Sequence, residues 1–272
     1  MSSTTVAPVD ADNPAGLVKP ARLRLWREIR LVFVRSIRPT LRRPVSLLIG
    51  MSMSLLYLAL FGPLLHQIGA GGAGSSWQWF VPGMMVQTAL FGTSYAGFAL
   101  IPEIRSGALE RLRVTPVSRA ALLLGRVLGD VLRLVIQAVL LTALAMIFGF
   151  RVGIGPLLLG LLLLAVLGTA IGSASYALAL ILRQEYAFAP VLSMSTLPLL
   201  LLSGVLLPMT IAPTWLHDLS RINPLSYVVD AERAMVAGQW SATTIWLGPL
   251  LAVLLAVAAV AVGVRTFRRE TA

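Results

Sequence analysis

Long apolar runs separated by short polar or charged stretches dominate the chain. They cover residues 45–65, 80–101, 120–150, 155–182, 188–207 and 245–267. A helix crossing a bilayer needs about 20 mainly apolar residues, so each run predicts one membrane span. Residues 21–38 follow a different pattern. On a helical wheel Leu25, Trp26, Ile29, Val32, Phe33 and Ile37 share one arc, while Arg24, Arg27, Glu28, Arg35 and Arg38 lie opposite. Leu31 and Val34 interrupt the polar side. The pattern predicts a basic amphipathic helix lying in the membrane interface.

Composition agrees with a bilayer as the solvent. Apolar residues make up 57% and charged residues 12%, more apolar surface than a soluble core of this length could enclose. The net charge of +11 would suit nucleic acid only if the cations formed one compact polar face. They sit between apolar runs instead, so no nucleic acid is expected. Lys and Arg concentrate on one side of the predicted spans, with nine before Pro44, Arg105, Arg111, Arg113, Arg119 and Arg126 after the second span, then Arg183, Arg265, Arg268 and Arg269. Arg151, Arg221 and Arg233 are left for the other side, and Arg133 falls inside the third helix. This asymmetry places both termini in the cytoplasm of an inner-membrane, multi-pass protein. Trp77, Trp79, Trp215, Trp240 and Trp246 fall near the outer ends of spans, at headgroup depth.

Residues 1–20 are polar, lack an apolar segment of the signal-peptide kind, and are expected to form a disordered cytoplasmic tail. Residues 21–43 are expected to be the interface helix, and 44–272 the six-span transmembrane domain. With no cysteine and only His66 and His217, a metal site is not expected. No Gly-x-x-x-x-Gly-Lys-Ser/Thr loop is present, and the sole lysine, Lys19, lies in the tail. The chain is therefore not expected to be an enzyme or to hold a nucleotide.

Two connections are unusual. Between the second and third spans Ile104, Ala108 and Leu112 recur every four residues, predicting a short amphipathic helix that bears Glu103, Arg105, Glu110, Arg111 and Arg113. Thr115 is expected to cap the third helix, with Pro116 at its first position. The outer stretch 208–240 reads as a helix, a break at Asn223-Pro224 and a second helix ending near Gly238.

Inside the membrane Arg126, Asp130, Arg133 and Gln137 share one face of the third helix. Such a stripe suits either an ion relay or internal pairing near the interface. Pairing is the expected role, because the stripe occupies the cytoplasmic half of an overlong helix. An intramembrane enzyme would need paired catalytic groups within the spans, which are absent. The fifth span carries Pro190, Pro198 and Ser203, and prolines permit the bending of a moving wall. With Met53, Met84 and Met194, whose thioethers adapt to varied apolar shapes, these are candidate pathway residues. Gly168 and Gly172 form a small-residue pair expected to pack helices within one subunit.

The stretches Glu103-Ile104-Arg105-Ser106-Gly107-Ala108-Leu109-Glu110-Arg111-Leu112-Arg113-Val114-Thr115-Pro116 and Arg221-Ile222-Asn223-Pro224-Leu225-Ser226-Tyr227 resemble those of type-2 ATP-binding cassette (ABC) permeases, in particular the daunorubicin-resistance branch. Pro82-Gly83-Met84 shares the likeness. The resemblance implies a half-transporter whose pathway needs a second copy or a related chain, with ATP and Mg²⁺ held by a separate cytoplasmic ATPase. It also implies that Glu103, Arg105, Gly107, Glu110, Arg111 and Pro116 belong to the coupling segment that meets this ATPase. The basic helix with Arg24, Trp26, Arg27, Ile29 and Phe33 would brace it from the side, and membrane lipids are expected partners. The fold expected is thus all-α and polytopic, with six spans, an N-terminal interface helix, a coupling helix and an outer helix-break-helix. The expected function is export of a hydrophobic or amphipathic drug or lipid, with a polysaccharide, a lipid-linked cargo or sodium as the alternative.

Overall fold

The computed structural model describes residues 21–42, 45–68, 76–107, 118–206, 209, 212–240 and 243–270. These form ten α-helices and one 3-10 turn, with no strand among them. Helix α1 (Ala21–Arg42) precedes α2 (Val45–Ile68), and α3 (Ser76–Ser94) continues through a 3-10 turn (Ala96–Ala99) into α4 (Leu100–Arg105). Then come α5 (Arg119–Ile147), α6 (Ile154–Leu182), α7 (Glu185–Leu202), α8 (Thr214–Ile222), α9 (Pro224–Val236) and α10 (Thr244–Glu270). Five helical segments are long and apolar enough to cross a membrane, and a sixth is reached when α1 and α2, whose axes diverge by 75°, are taken together. The expected spans map onto α2, α3 to α4, α5, α6, α7 and α10.

Helix α1 lies along the N-terminal half of α5, and the contact depends on two glycines. A Cβ on Gly125 would stand 2.6 Å from Cβ of Val32, and one on Gly129 would press on the Ser36 hydroxyl. The apolar arc of α1 is therefore spent on protein: Ile29 and Ile37 are buried, and Leu25, Val32 and Phe33 half-buried. Trp26, 69% exposed, is the arc residue left pointing outward. Glu28, expected on the polar side, is buried as well.

Helix α5 starts at Arg119, and its cap is Ser118 rather than Thr115. Ser118 is extended (φ −68°, ψ 140°), and its hydroxyl accepts from the Ala121 N–H at 3.3 Å. Even so, 29 residues at 1.5 Å each make about 44 Å, longer than the ~30 Å hydrocarbon core. Helix α7 begins at Glu185 and stops at Leu202, short of the expected residue 207, because Ser203 and Gly204 (φ 74°) turn the chain away.

The pair α8 and α9 follows the expected break. The Asn223 Oδ1 accepts from the Leu225 N–H at 3.0 Å with Pro224 first in α9, and Gly238 (φ 69°) ends it. Unlike a surface helix, α9 is buried along Leu225, Val228, Val229, Ala231 and Met235, packed among α3, α6 and α10. Gly168 of α6 seats the Leu134 side chain of the same chain, as expected for packing within a subunit.

Candidate functional site

The polar stripe of α5 is a set of fasteners. Asp130 is buried; its Oδ1 accepts from Arg133 Nη1 at 3.0 Å and its Oδ2 from the Tyr176 hydroxyl at 2.6 Å. Arg133 also donates to the Thr40 hydroxyl and, at 3.0 Å, to the Ser36 carbonyl, tying α1 to α5. Gln137 Nε2 donates to the Leu47 carbonyl of α2 at 2.9 Å, directly beneath Gly50, which leaves it room. Arg126 reaches across to α4 and forms a two-pronged ion pair with Glu103. Internal pairing thus holds for Asp130, and Arg126 proves to serve a different acid from the one on its own helix.

The expected coupling segment divides accordingly. Glu103 and exposed Arg105 end α4, Ser106 closes the helix, and Gly107 (φ 68°) turns the chain in a conformation that disfavours side chains. The rest of the expected short helix, with Ala108 and Leu112, lies outside the described residues. Glu110, Arg111 and Pro116 lie outside the described residues, as does the side chain of Arg24. At the start of α5 the Ser118 N–H donates to Glu28 Oε2 at 2.8 Å, and Arg119 donates to the Arg268 carbonyl of α10 at 2.8 Å. Glu28 was the residue missed from the pattern. Its signal is that it is the only acid in an otherwise basic helix.

Two cavities open between the helices. One, of about 440 Å³, opens between α1, α3 to α4 and α5 and reaches Tyr176 of α6. The other, of about 320 Å³, has an almost wholly apolar wall contributed by α3, α6, α7, α9 and α10, including Leu90, Ile171, Leu192, Thr196 and Leu255. The candidate pathway residues scatter. Met194 is 80% exposed on α7 alongside Pro190 and Pro198, and Met53 is exposed on α2. Met84 is 0% exposed, enclosed in the central core, and so cannot form a pathway wall in this arrangement. Ser203 is buried and donates to the Leu200 carbonyl at 2.6 Å.

The start of α9 is pinned to α7. Asn223 Nδ2 donates to the Leu199 carbonyl at 2.7 Å. Arg233 donates to the carbonyls of Gly204 (2.9 Å) and Trp79 (3.1 Å) and stacks on the Trp79 ring at 4.0 Å. Burial lowers the Arg233 pKa to about 10, leaving it charged at neutral pH. Glu232 is buried against Gly160, and its Oε1 has no hydrogen-bond partner among the described residues. Burial pushes this carboxyl up from 4.5 to about 8. The folded protein therefore binds the proton more tightly than the unfolded chain, so stability falls as pH rises from about 4.5 to about 8. Thermal unfolding of Glu232→Gln should lose that slope while matching wild type at the acid end, and an unchanged slope would assign it to another group.

The comparisons agree with this architecture. The family model for ABC-2 type transporters matches residues 27–237, and the chain belongs to that family. It is 29% identical over 197 residues to a daunorubicin-resistance ABC transporter permease protein of Streptomyces coeruleorubidus, covering 72% of this chain and 70% of the relative. It is 32% identical over 201 residues (71% and 68% of the two chains) to the ycf38 chain of Cyanophora paradoxa, named as a transport permease. A Mycobacterium tuberculosis chain named as a doxorubicin-resistance ABC transporter permease is 28% identical over 160 residues, 58% of each chain. The protein is thus a multi-pass membrane permease subunit, of a kind that works with a separate ABC ATPase.

Proposed function

We propose that this permease moves an apolar or amphipathic compound outward across the inner membrane, driven by ATP and Mg²⁺ on a separate ATPase docked at residues 103–116. Both termini are cytoplasmic, and a second copy or a related chain completes the pathway. The observation that carries the reading is the clasp around residues 108–117. This segment is entered from Glu103, locked to Arg126, and left at Ser118, locked to Glu28. A displacement of the segment would therefore reach α1, α4 and α5 together, which is what coupling to an ATPase requires. The apolar cavity and the drug-resistance names of the relatives support an apolar cargo over an ion or a sugar.

The test is Glu110→Arg. It should leave insertion intact yet weaken ATPase association and abolish export, because charge reversal at a docked pair costs several kcal/mol, against about 0.5 kcal/mol on a solvated loop. Co-purification of the ATPase with both forms decides this, and equal recovery with full export would remove the coupling role. The orientation has its own test. Single cysteines placed at Glu110 and Asp218 of this cysteine-free chain should be labelled from inside and outside intact cells respectively. Labelling of position 110 from outside would reverse the topology.

A further inference from the structure

Two depressions on the cytoplasmic side share Arg35 in their walls. One is the cavity of about 440 Å³ beneath α1. The other runs along the outer face of α1 among Arg27, Arg30, Leu31, Val34 and Arg38. These positions recur at three- and four-residue steps, so they form one helix face on which guanidinium groups alternate with apolar side chains. Arg35 is exposed where the two meet and makes no hydrogen bond or ion pair among the described residues. The remaining charges around the cavity cancel in pairs, Arg126 with Glu103 and Arg133 with Asp130. Arg35 therefore leaves an uncompensated positive charge at the mouth of a pocket whose inner wall includes Val32, Ala96 and Leu122.

We propose that this joined surface binds the phosphate-bearing headgroup of an anionic phospholipid of the inner leaflet, with Arg35 as its principal ligand. A guanidinium presents paired N–H donors that match phosphate oxygens. The neighbouring arginines of α1 attract the same headgroup, and the apolar wall accepts the start of its chains. A lipid fits this surface better than an acidic face of the ATPase. Trp26 and Leu31 stand exposed beside the arginines, as expected at headgroup depth, and the cavity continues inward to Tyr176, beyond the reach of a flat protein surface. Bound there, the lipid touches α1, α4 and α5 at once and acts as a resident part of the clasp rather than as cargo. The assignment to the inner leaflet rests on the orientation proposed above.

The permease, extracted together with its ATPase from membranes containing phosphatidylcholine and phosphatidylglycerol, should retain phosphatidylglycerol selectively when counted by native mass spectrometry. Arg35→Gln should cut that retention roughly tenfold or more, the loss of one charge-assisted phosphate contact. Arg35→Lys should restore part of it, and Arg151→Gln on the opposite side should leave it unchanged. Equal phosphatidylglycerol retention in wild type and Arg35→Gln would overturn the proposal, as would equal retention of phosphatidylcholine. Displacement by excess inorganic phosphate would assign a free-anion site instead. Loss of ATPase from Arg35→Gln with lipid retention unaltered would make the arginine face a protein dock. A failure of the inferred orientation shows separately in the cysteine labelling and leaves the lipid count untouched.

Discussion

Gly97→Val is expected to leave little folded permease. Gly97 sits in the 3-10 turn between α3 and α4, pressed against the backbone of α6. A Cβ there would overlap the Ser175 carbonyl oxygen and stand 2.7 Å from its carbon. The Gly97 N–H also donates to the Ser175 hydroxyl at 2.9 Å, and that hydroxyl donates in turn to the Ser94 carbonyl. Neither helix can retreat without breaking both bonds inside the bundle, where water does not replace them. Overpacking against a backbone that cannot yield should cost about 3 kcal/mol, a large share of a marginal stability. The measurement is the monodisperse fraction after detergent extraction, followed by its thermal unfolding. Gly155→Ala is the control, since a Cβ at that position meets nothing within 4 Å. If Gly97→Val extracted and melted like the control, the close approach of these helices would be wrong.

The second large effect concerns Glu103 and Arg126. Glu103→Arg places two guanidinium groups face to face in a partly enclosed site, and Arg126→Glu does the same with carboxylates. Glu103 is 37% exposed, so solvent relieves part of the repulsion. Each single reversal should still destabilise by about 2 kcal/mol and abolish export, because it opens the clasp on one side of residues 108–117. The double reversal restores the attraction and should recover most of the stability, measured as a thermodynamic cycle. Export by the double variant then discriminates between roles. Recovery means that Glu103 acts through Arg126, whereas recovered stability without export means that its charge also meets the ATPase. Additive losses of stability would show that the pair contributes nothing.

Much of the fold was legible because spans and caps are local. Twenty apolar residues in succession have one stable place in a bilayer, and Asn223-Pro224 or a glycine near 238 caps and stops a helix wherever the helix goes. The stripe of α5 was also legible as a stripe, since residues three and four apart share a face by geometry alone. Its partners were not. Glu103, Thr40, Leu47 and Tyr176 come from four other segments, tens of residues away in sequence. Likewise the period in 21–38 identified an apolar arc, but an arc suits lipid and a neighbouring helix equally well. Gly125 and Gly129 decided for the helix by letting α1 approach α5 closely.

The sequence by itself thus determined the apolar spans, the asymmetry of positive charge, the break between α8 and α9 and the residues available for pairing. These depend on the solvent and on each helix's own period. Only the tertiary structure decided that Glu28 meets Ser118 and Glu103 meets Arg126, that Met84 is core, and that Glu232 is buried over Gly160. Those outcomes depend on the rotation and register of one helix against another. Side-chain packing between distant segments sets both, and the period within a single segment carries no record of it.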